Sequence, residues 1–264
     1  MCGIVRAYER PARAGNNIPS METKKILAII LARGGSKSIP KKNIISVAGK
    51  PLIAWTIESA RESKKIQRVV VSTDTEEIAA VARDYGADVP FLRPAELAED
   101  HTPDLPAFQH ALAWLKEHEH YEPDIVVQLW ATSPYRRAGD IDRAIMLLEN
   151  DSKADSVRSV TQPSQPPFKM WRRDTGPYLS PIMQKEFPEA YIGQEPHSLP
   201  RQVLPDVVVQ TGYINVIRPR VILSGSMYGT NVIPFYHDPD TYTEVDSYKD
   251  LAHTEFVLKK TRHT

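Results

Sequence analysis

Lys25-Ile-Leu-Ala-Ile-Ile-Leu31 runs directly into Ala32-Arg-Gly-Gly-Ser-Lys-Ser-Ile-Pro-Lys-Lys-Asn43, and this junction decides the fold. Residues 26–31 are uncharged and rich in isoleucine, the pattern of a strand buried on both faces of a parallel sheet. The loop that follows carries two adjacent glycines, an arginine and three lysines. Gly34 and Gly35 are expected to permit positive φ and a nest of N–H groups, with Ser36 as a further donor. Arg33, Lys37 and Lys42 would surround that nest with forked or mobile positive charge. Such a loop suits a phosphate-bearing ligand; the competing reading is a solvated basic turn. The glycine spacing matches neither Gly-x-x-x-x-Gly-Lys-Ser/Thr nor Gly-x-Gly-x-x-Gly, so the common nucleotide fingerprints are excluded.

Beyond the loop, strand-like and helix-like patterns alternate. Pro51 precedes an apolar-sided helix through Ala60, and residues 67–73 read as the second strand. Thr73 or Asp74 can cap the next helix, which Gly86 stops. Residues 104–118 read as a helix, 124–130 as a strand, 140–148 as a helix, 207–217 and 231–236 as strands, and 246–259 as a closing helix. This alternation predicts an α/β fold, a mostly parallel sheet covered by helices on both sides. Ligands of such sheets bind beyond the carboxyl ends of the strands. The 33–43 loop, Asp74 and the segment Ala131–Arg136 all fall there.

Residues 162–205 interrupt the pattern with nine prolines and weak periodicity. They predict an inserted flap or an arm that packs on another subunit. Residues 1–22 lack periodicity and are expected to be a disordered extension, leaving 23–264 as one domain.

The chain has 264 residues, 41% of them apolar, with 33 basic and 33 acidic residues. A net charge of zero argues against a general nucleic-acid binder, so phosphate binding must be local. No apolar run is long enough to span a bilayer, and the single cysteine excludes an intrachain disulfide. A cytoplasmic protein is expected, with neither membrane nor nucleic acid as partner.

Near the end, Glu244 and Asp246 stand two apart, so in extended chain their carboxylates share a side. Two such oxygen donors suit Mg²⁺, which takes one or two carboxylates plus waters and substrate phosphates. The competing reading has Asp246 capping the last helix. Phosphate loop, basic residues and acidic pair together suggest nucleotidyl transfer, in which positive groups stabilise charge on the α-phosphate and departing pyrophosphate.

The stretches Leu31–Asn43, Gly49-Lys-Pro-Leu-Ile-Ala-Trp-Thr-Ile57, Val70-Val-Ser-Thr-Asp74, Leu92-Arg-Pro-Ala-Glu-Leu97 and Thr132-Ser-Pro-Tyr-Arg136 resemble the acylneuraminate cytidylyltransferases. The resemblance runs in order from about Lys24 to Leu258. It implies a Rossmann-like nucleotidyltransferase sandwich with an irregular dimerisation arm at 162–205. It also implies an enzyme that transfers CMP from CTP to an acidic 2-keto-3-deoxy sugar, with Mg²⁺ assisting and pyrophosphate leaving. By the same resemblance, Arg33, Gly34, Gly35, Ser36, Lys37 and Lys42 hold the triphosphate, and Asn43 and Arg93 contact the cytidine. Arg33, Lys42 and Asp246 are the implied catalytic residues, Glu244 and Asp246 the implied metal ligands. The sugar is expected near Trp130, Thr132, Ser133, Lys169, Arg201, Gln210 and Thr211, and a homodimer is implied.

The sugar side departs from the family pattern. Trp130 stands where a glutamine is usual, Thr211-Gly-Tyr-Ile-Asn215 replaces Asn-Gly-Ala-Ile-Tyr, and Glu244 replaces an aspartate. A related nonulosonic acid is therefore a candidate beside sialic acid. The alternatives are another sugar acid such as Kdo, or a non-catalytic nucleotide-binding regulator.

Overall fold

The computed structural model describes residues 24–173, 176–184, 187–191, 195–238 and 242–261. The expected extension at 1–22 lies outside the described residues.

The first strand, β1 (Ile26–Leu31), is buried along nearly its whole length, as its composition requires. A tight hairpin follows, β2 (Ser46–Val47) and β3 (Lys50–Pro51). Ala48 (φ 49°) and Gly49 (φ 90°) both take the left-handed conformation that a two-residue antiparallel turn demands. The main chain then builds α1 (Leu52–Glu62), β4 (Arg68–Ser72), α2 (Glu76–Asp84), α3 (Asp104–Glu119), β5 (Ile125–Trp130) and α4 (Ala138–Asn150). Next come β6 (Ser156–Thr161), a small hairpin of β7 (Trp171–Arg173) and β8 (Leu179–Pro181), and β9 (Val209–Ile217). The chain closes with α5 (Pro219–Leu223), β10 (Val232–Tyr236) and α6 (Tyr248–Thr261).

Six strands form one sheet in the order β10-β6-β9-β5-β1-β4. Neighbours run parallel except β9, which is antiparallel to both β5 and β6. The excursion at 162–205 explains that exception. It leaves the carboxyl end of β6 and returns at the same edge, pairing Val209 with Thr161, so the returning strand must run backwards. One sheet face is covered by α1, α2 and α4, with Ile53, Ile57, Ile78, Ile141 and Ile145 in the core. The other is covered by α3 and α5 through Phe108, Leu112, Leu115, Val221 and Ile222. A third cluster joins the β2–β3 hairpin to α6 through Val47, Leu52, Val245 and Leu258. Burial at about 25 cal/mol per Å² of apolar surface makes these clusters the main source of stability.

The expected α/β architecture holds. Strand β6 is absent from the sequence reading because its alternating serines and arginine look like loop. In the fold, Ser156 Oγ donates to the Tyr228 carbonyl (2.7 Å) and Ser159 Oγ to the Thr211 carbonyl (3.1 Å), so these buried hydroxyls are satisfied. No helix among the described residues is long and apolar enough to cross a membrane.

Candidate active site

The carboxyl ends of β1 and β5 and the segment 93–104 enclose a cleft of about 500 Å³. In register, Leu31 lies beside both Ser72 and Trp130, so the loops after β1, β4 and β5 emerge at one level. Arg33, Ser36, Lys37, Lys42, Asn43, Arg93, Trp130 and Thr132 all line this cleft, gathered from positions a hundred residues apart.

The glycine loop differs from the expected nest. Neither Gly34 nor Gly35 has positive φ; the left-handed residue is Lys41, at φ 53°. The Gly34 N–H donates to Asp74 Oδ1 (2.9 Å), and a Cβ on Gly34 would run into the Thr75 methyl. Gly34 is therefore needed for close approach between two loops. Asp74 is occupied there, and it is Thr75, not Thr73 or Asp74, that caps α2 by accepting the Ile78 N–H (3.4 Å). Asn43 ties the loop to itself by donating to the Arg33 carbonyl (2.8 Å).

The cations are held by carboxylates around the cleft. Arg33 Nη1 lies 2.6 Å from Asp100 Oδ1, and Lys37 engages the other oxygen of the same carboxylate. Hydrogen bonds from Lys37 and then Arg33 hold the Asp100 carboxyl below its ordinary range. Lys42 Nζ lies 2.9 Å from Asp246 Oδ1; the lysine side chain is 13% exposed and the aspartate 69%. Arg93 is only 5% exposed, and its Nε has no hydrogen-bond partner among the described residues. Burial lowers its guanidinium from the ordinary value, opposed by the nearby Asp74 and Asp104 charges. A buried cation with unused donor capacity at a cleft wall is suited to an incoming acceptor.

Several polar residues that line the cleft, among them Asp100, Asp104 and Gln128, are absent from the site reading of the sequence. Gln128 is the one polar side chain within β5. Gln128 donates to Asp104 Oδ2 (2.8 Å) and accepts from Asn215 Nδ2 (3.1 Å). Asp104 opens on the cleft, yet the surrounding protein strips its solvation and raises its pKa, opposed by the Gln128 bond and by Arg93. A lone glutamine in an otherwise apolar strand was the available signal for this row. Asn215, expected near the sugar, is fully buried behind Gln128.

Other expected residues fall elsewhere. Arg136, placed by the sequence reading at the ligand-binding edge of the sheet, is a buried clamp. Its guanidinium donates to the carbonyls of Trp130 (2.7 Å) and Gly212 (3.2 Å), to Thr56 Oγ1 (2.7 Å), and to the carbonyls of Ser133 and Tyr213. Complete burial brings its pKa down to about 10. Ser133 is buried beneath the cleft floor, and Thr211 Oγ1 bonds Ser159 (3.0 Å) and His237 Nε2 (2.9 Å). Gln210 engages Arg158, and Arg201 donates to the carbonyls of Pro163 and Ser164 (2.8 Å to the latter) beside a separate pocket. Lys169 also stands outside the lining of the main cleft. The sugar contacts expected from residues 169, 201, 210 and 211 are thus not assembled within this chain's own cleft.

The acidic pair is placed by two local devices. Ser247 and Asp250 form a reciprocal cap on α6: the Ser247 N–H reaches Asp250 Oδ2 (2.8 Å), and the Asp250 N–H reaches Ser247 Oγ (3.3 Å). Asp246 is thereby released from capping. Buried Val245 donates its N–H to the Thr132 carbonyl (2.8 Å), pinning the segment beside the loop after β5. Glu244 accepts from the Tyr242 hydroxyl. Among the described residues no group of three or more His, Cys, Asp or Glu is arranged to hold a metal ion. Glu244 and Asp246 stand outside the lining of the cleft, Asp246 meeting it through Lys42; two hard carboxylates still fit Mg²⁺, which fills its remaining positions with water and phosphate oxygens.

A family model described as cytidylyltransferase matches residues 27–169. The N-acylneuraminate cytidylyltransferase of Escherichia coli O18:K1:H7 is 40% identical over 142 residues, which span 54% of this chain and 32% of that protein. The CMP-N,N'-diacetyllegionaminic acid synthase of Campylobacter jejuni subsp. jejuni serotype O:2 is 30% identical over 237 residues, spanning 89% of this chain and 95% of that protein. In fold, the chain matches a solved CMP:2-keto-3-deoxy-manno-octonic acid synthetase complexed with CTP. That match has a TM-score of 0.66 and 18% identity, and covers 90% of this chain and 99% of that one. The chain belongs to the cytidylyltransferase family, and so to the nucleotidyltransferases.

Proposed function

We propose that the protein transfers CMP from CTP to the anomeric hydroxyl of an acidic nine-carbon keto-deoxy sugar, a sialic or related nonulosonic acid, releasing pyrophosphate. The observation that carries this reading is the gathering of Arg33, Lys37 and Lys42 from the β1 loop in one cleft, with Asp246 from far along the chain held against that cleft's Lys42. Arg33, Lys37 and Lys42 would exchange their carboxylate partners for the triphosphate, a trade of one anion for another that leaves no cation stranded. Arg93 and Asn43 would face the cytosine. Thr132 would sit beside the acceptor sugar, with Trp130 giving that wall an aromatic surface in place of a polar one.

Glu244 and Asp246 would hold Mg²⁺, which when bound supplies charge neutralisation on the phosphates. The protein's own part is to align the reacting oxygen and phosphorus and to present fixed positive charge to the departing pyrophosphate. Lys169 and Arg201 would complete a sugar site only across a homodimer, with the 162–205 arm reaching to the second subunit. The exposed Trp171, Tyr178 and Leu179 on that arm support this arrangement. A cytoplasmic location, where CTP is made, fits this reaction. Equilibrium sedimentation tests the dimer, and pyrophosphate release from CTP with and without an acid sugar tests the reaction.

A further inference from the structure

We propose that Tyr242 is a positioning residue for Glu244, fixing a longer side chain that stands where the family pattern has aspartate; this rests on the reading of Glu244 as a metal ligand. The Tyr242 hydroxyl accepts the Gly212 N–H (2.9 Å), so its single hydrogen is committed to Glu244 Oε2. The ring cannot drift. It meets Tyr213 edge-on at 6.4 Å and His237 at 5.4 Å and 59°, and both of those rings are buried. The other carboxylate oxygen is placed by an absence of side chain. A Cβ on Gly212 would come 3.2 Å from Glu244 Oε1, 3.3 Å from Ser133 Oγ and 3.3 Å from the Tyr242 hydroxyl. Glutamate has one more rotatable bond than aspartate, and a ligand that swings freely must lose that freedom whenever it coordinates. Here the freedom is removed in advance by a phenol anchored to the returning strand β9. Groups that orient a metal ligand typically change affinity by about 10–100-fold when removed.

The experiment uses the full chain with Tyr242→Phe, Glu244→Asp, Glu244→Gln and the Tyr242→Phe/Glu244→Asp double variant. Mn²⁺ binding to the CTP complex is read by electron paramagnetic resonance, and CTP binding in EDTA is measured separately. Tyr242→Phe is expected to weaken Mn²⁺ binding about tenfold while leaving metal-free CTP binding unchanged. The double variant is expected to bind Mn²⁺ no more weakly than Glu244→Asp alone, because the shorter side chain no longer reaches the phenol. Unchanged Mn²⁺ affinity in Tyr242→Phe, or losses that add in the double variant, would overturn the proposal. Unchanged affinity in Glu244→Gln would instead overturn the metal-ligand reading beneath it. Should Tyr242→Phe fail to fold, Gly212→Ala, which presses on Glu244 Oε1, must weaken Mn²⁺ binding in the same direction; unaltered binding there counts against the proposal.

Discussion

Lys42 Nζ meets Asp246 Oδ1 at 2.9 Å, joining residues 204 positions apart in sequence. The contact brings the basic glycine loop and the acidic segment to one place, and it pairs a mostly covered ammonium with an open carboxylate. Lys42→Gln is expected to lower kcat/KM by about 100-fold, the usual scale for removing one electrostatic donor at developing charge. Lys41→Gln is the control. That lysine is exposed and paired with Glu77 (2.6 Å), and its loss should leave steady-state rates near wild type.

Arg136 is predicted to serve stability. Replacing it with methionine strands several buried carbonyls that it now satisfies. Urea unfolding should show a loss of about 3 kcal/mol, since unsatisfied buried partners of a charged donor cost about 1–3 kcal/mol each and partly relax. Lysine cannot reproduce the fork and should rescue little of that loss.

His237 predicts a pH dependence of folding. Burial lowers its pKa, opposed by the Asp238 carbonyl, and it is stacked at 4.5 Å on Tyr213. The unfolded chain therefore binds a proton more readily than the folded one below about pH 6.5. The stability this group contributes is full above that pH and falls as pH drops. His237→Gln should reduce the fall in melting temperature between pH 7.5 and 5.5. Part of it should remain, because burial lowers His110 in the same sense.

Asp104 predicts the opposite trade. Its raised pKa means that the charged form is disfavoured in the fold. The penalty is absent below the unfolded value near 3.9 and grows as pH rises through the folded value. Asp104→Asn should raise the melting temperature at pH 7 and lose that advantage near pH 3.5. A charge kept in the cleft at the expense of stability is the mark of a group retained for binding.

The parallel sheet and the basic wall of the cleft were legible because both rest on local pattern. Ile26–Leu31 is too apolar for an exposed strand, and a basic glycine loop after it falls at the carboxyl edge by topology alone. The placement of the residues expected near the sugar was not legible. Thr211 and Asn215 belong to a strand whose direction is reversed by the 162–205 excursion, and that reversal points them into hydrogen bonds with Ser159, His237 and Gln128. Arg136 misled for a related reason: a basic residue after a strand looks the same in sequence whether it faces phosphate or caps five oxygens under the floor. Gly34 was marked as special for the wrong cause, since its need is clearance from Thr75 and not positive φ.

Pyrophosphate release, followed with CTP, Mg²⁺ and in turn N-acetylneuraminate, Kdn, legionaminate, pseudaminate and Kdo, tests the central claim most directly. The account predicts sugar-dependent release with at least one nonulosonic acid, abolished by Asp246→Ala and absent when UTP replaces CTP. CTP binding without pyrophosphate release for any of these acids would contradict it and would mark the chain as a nucleotide-binding regulator.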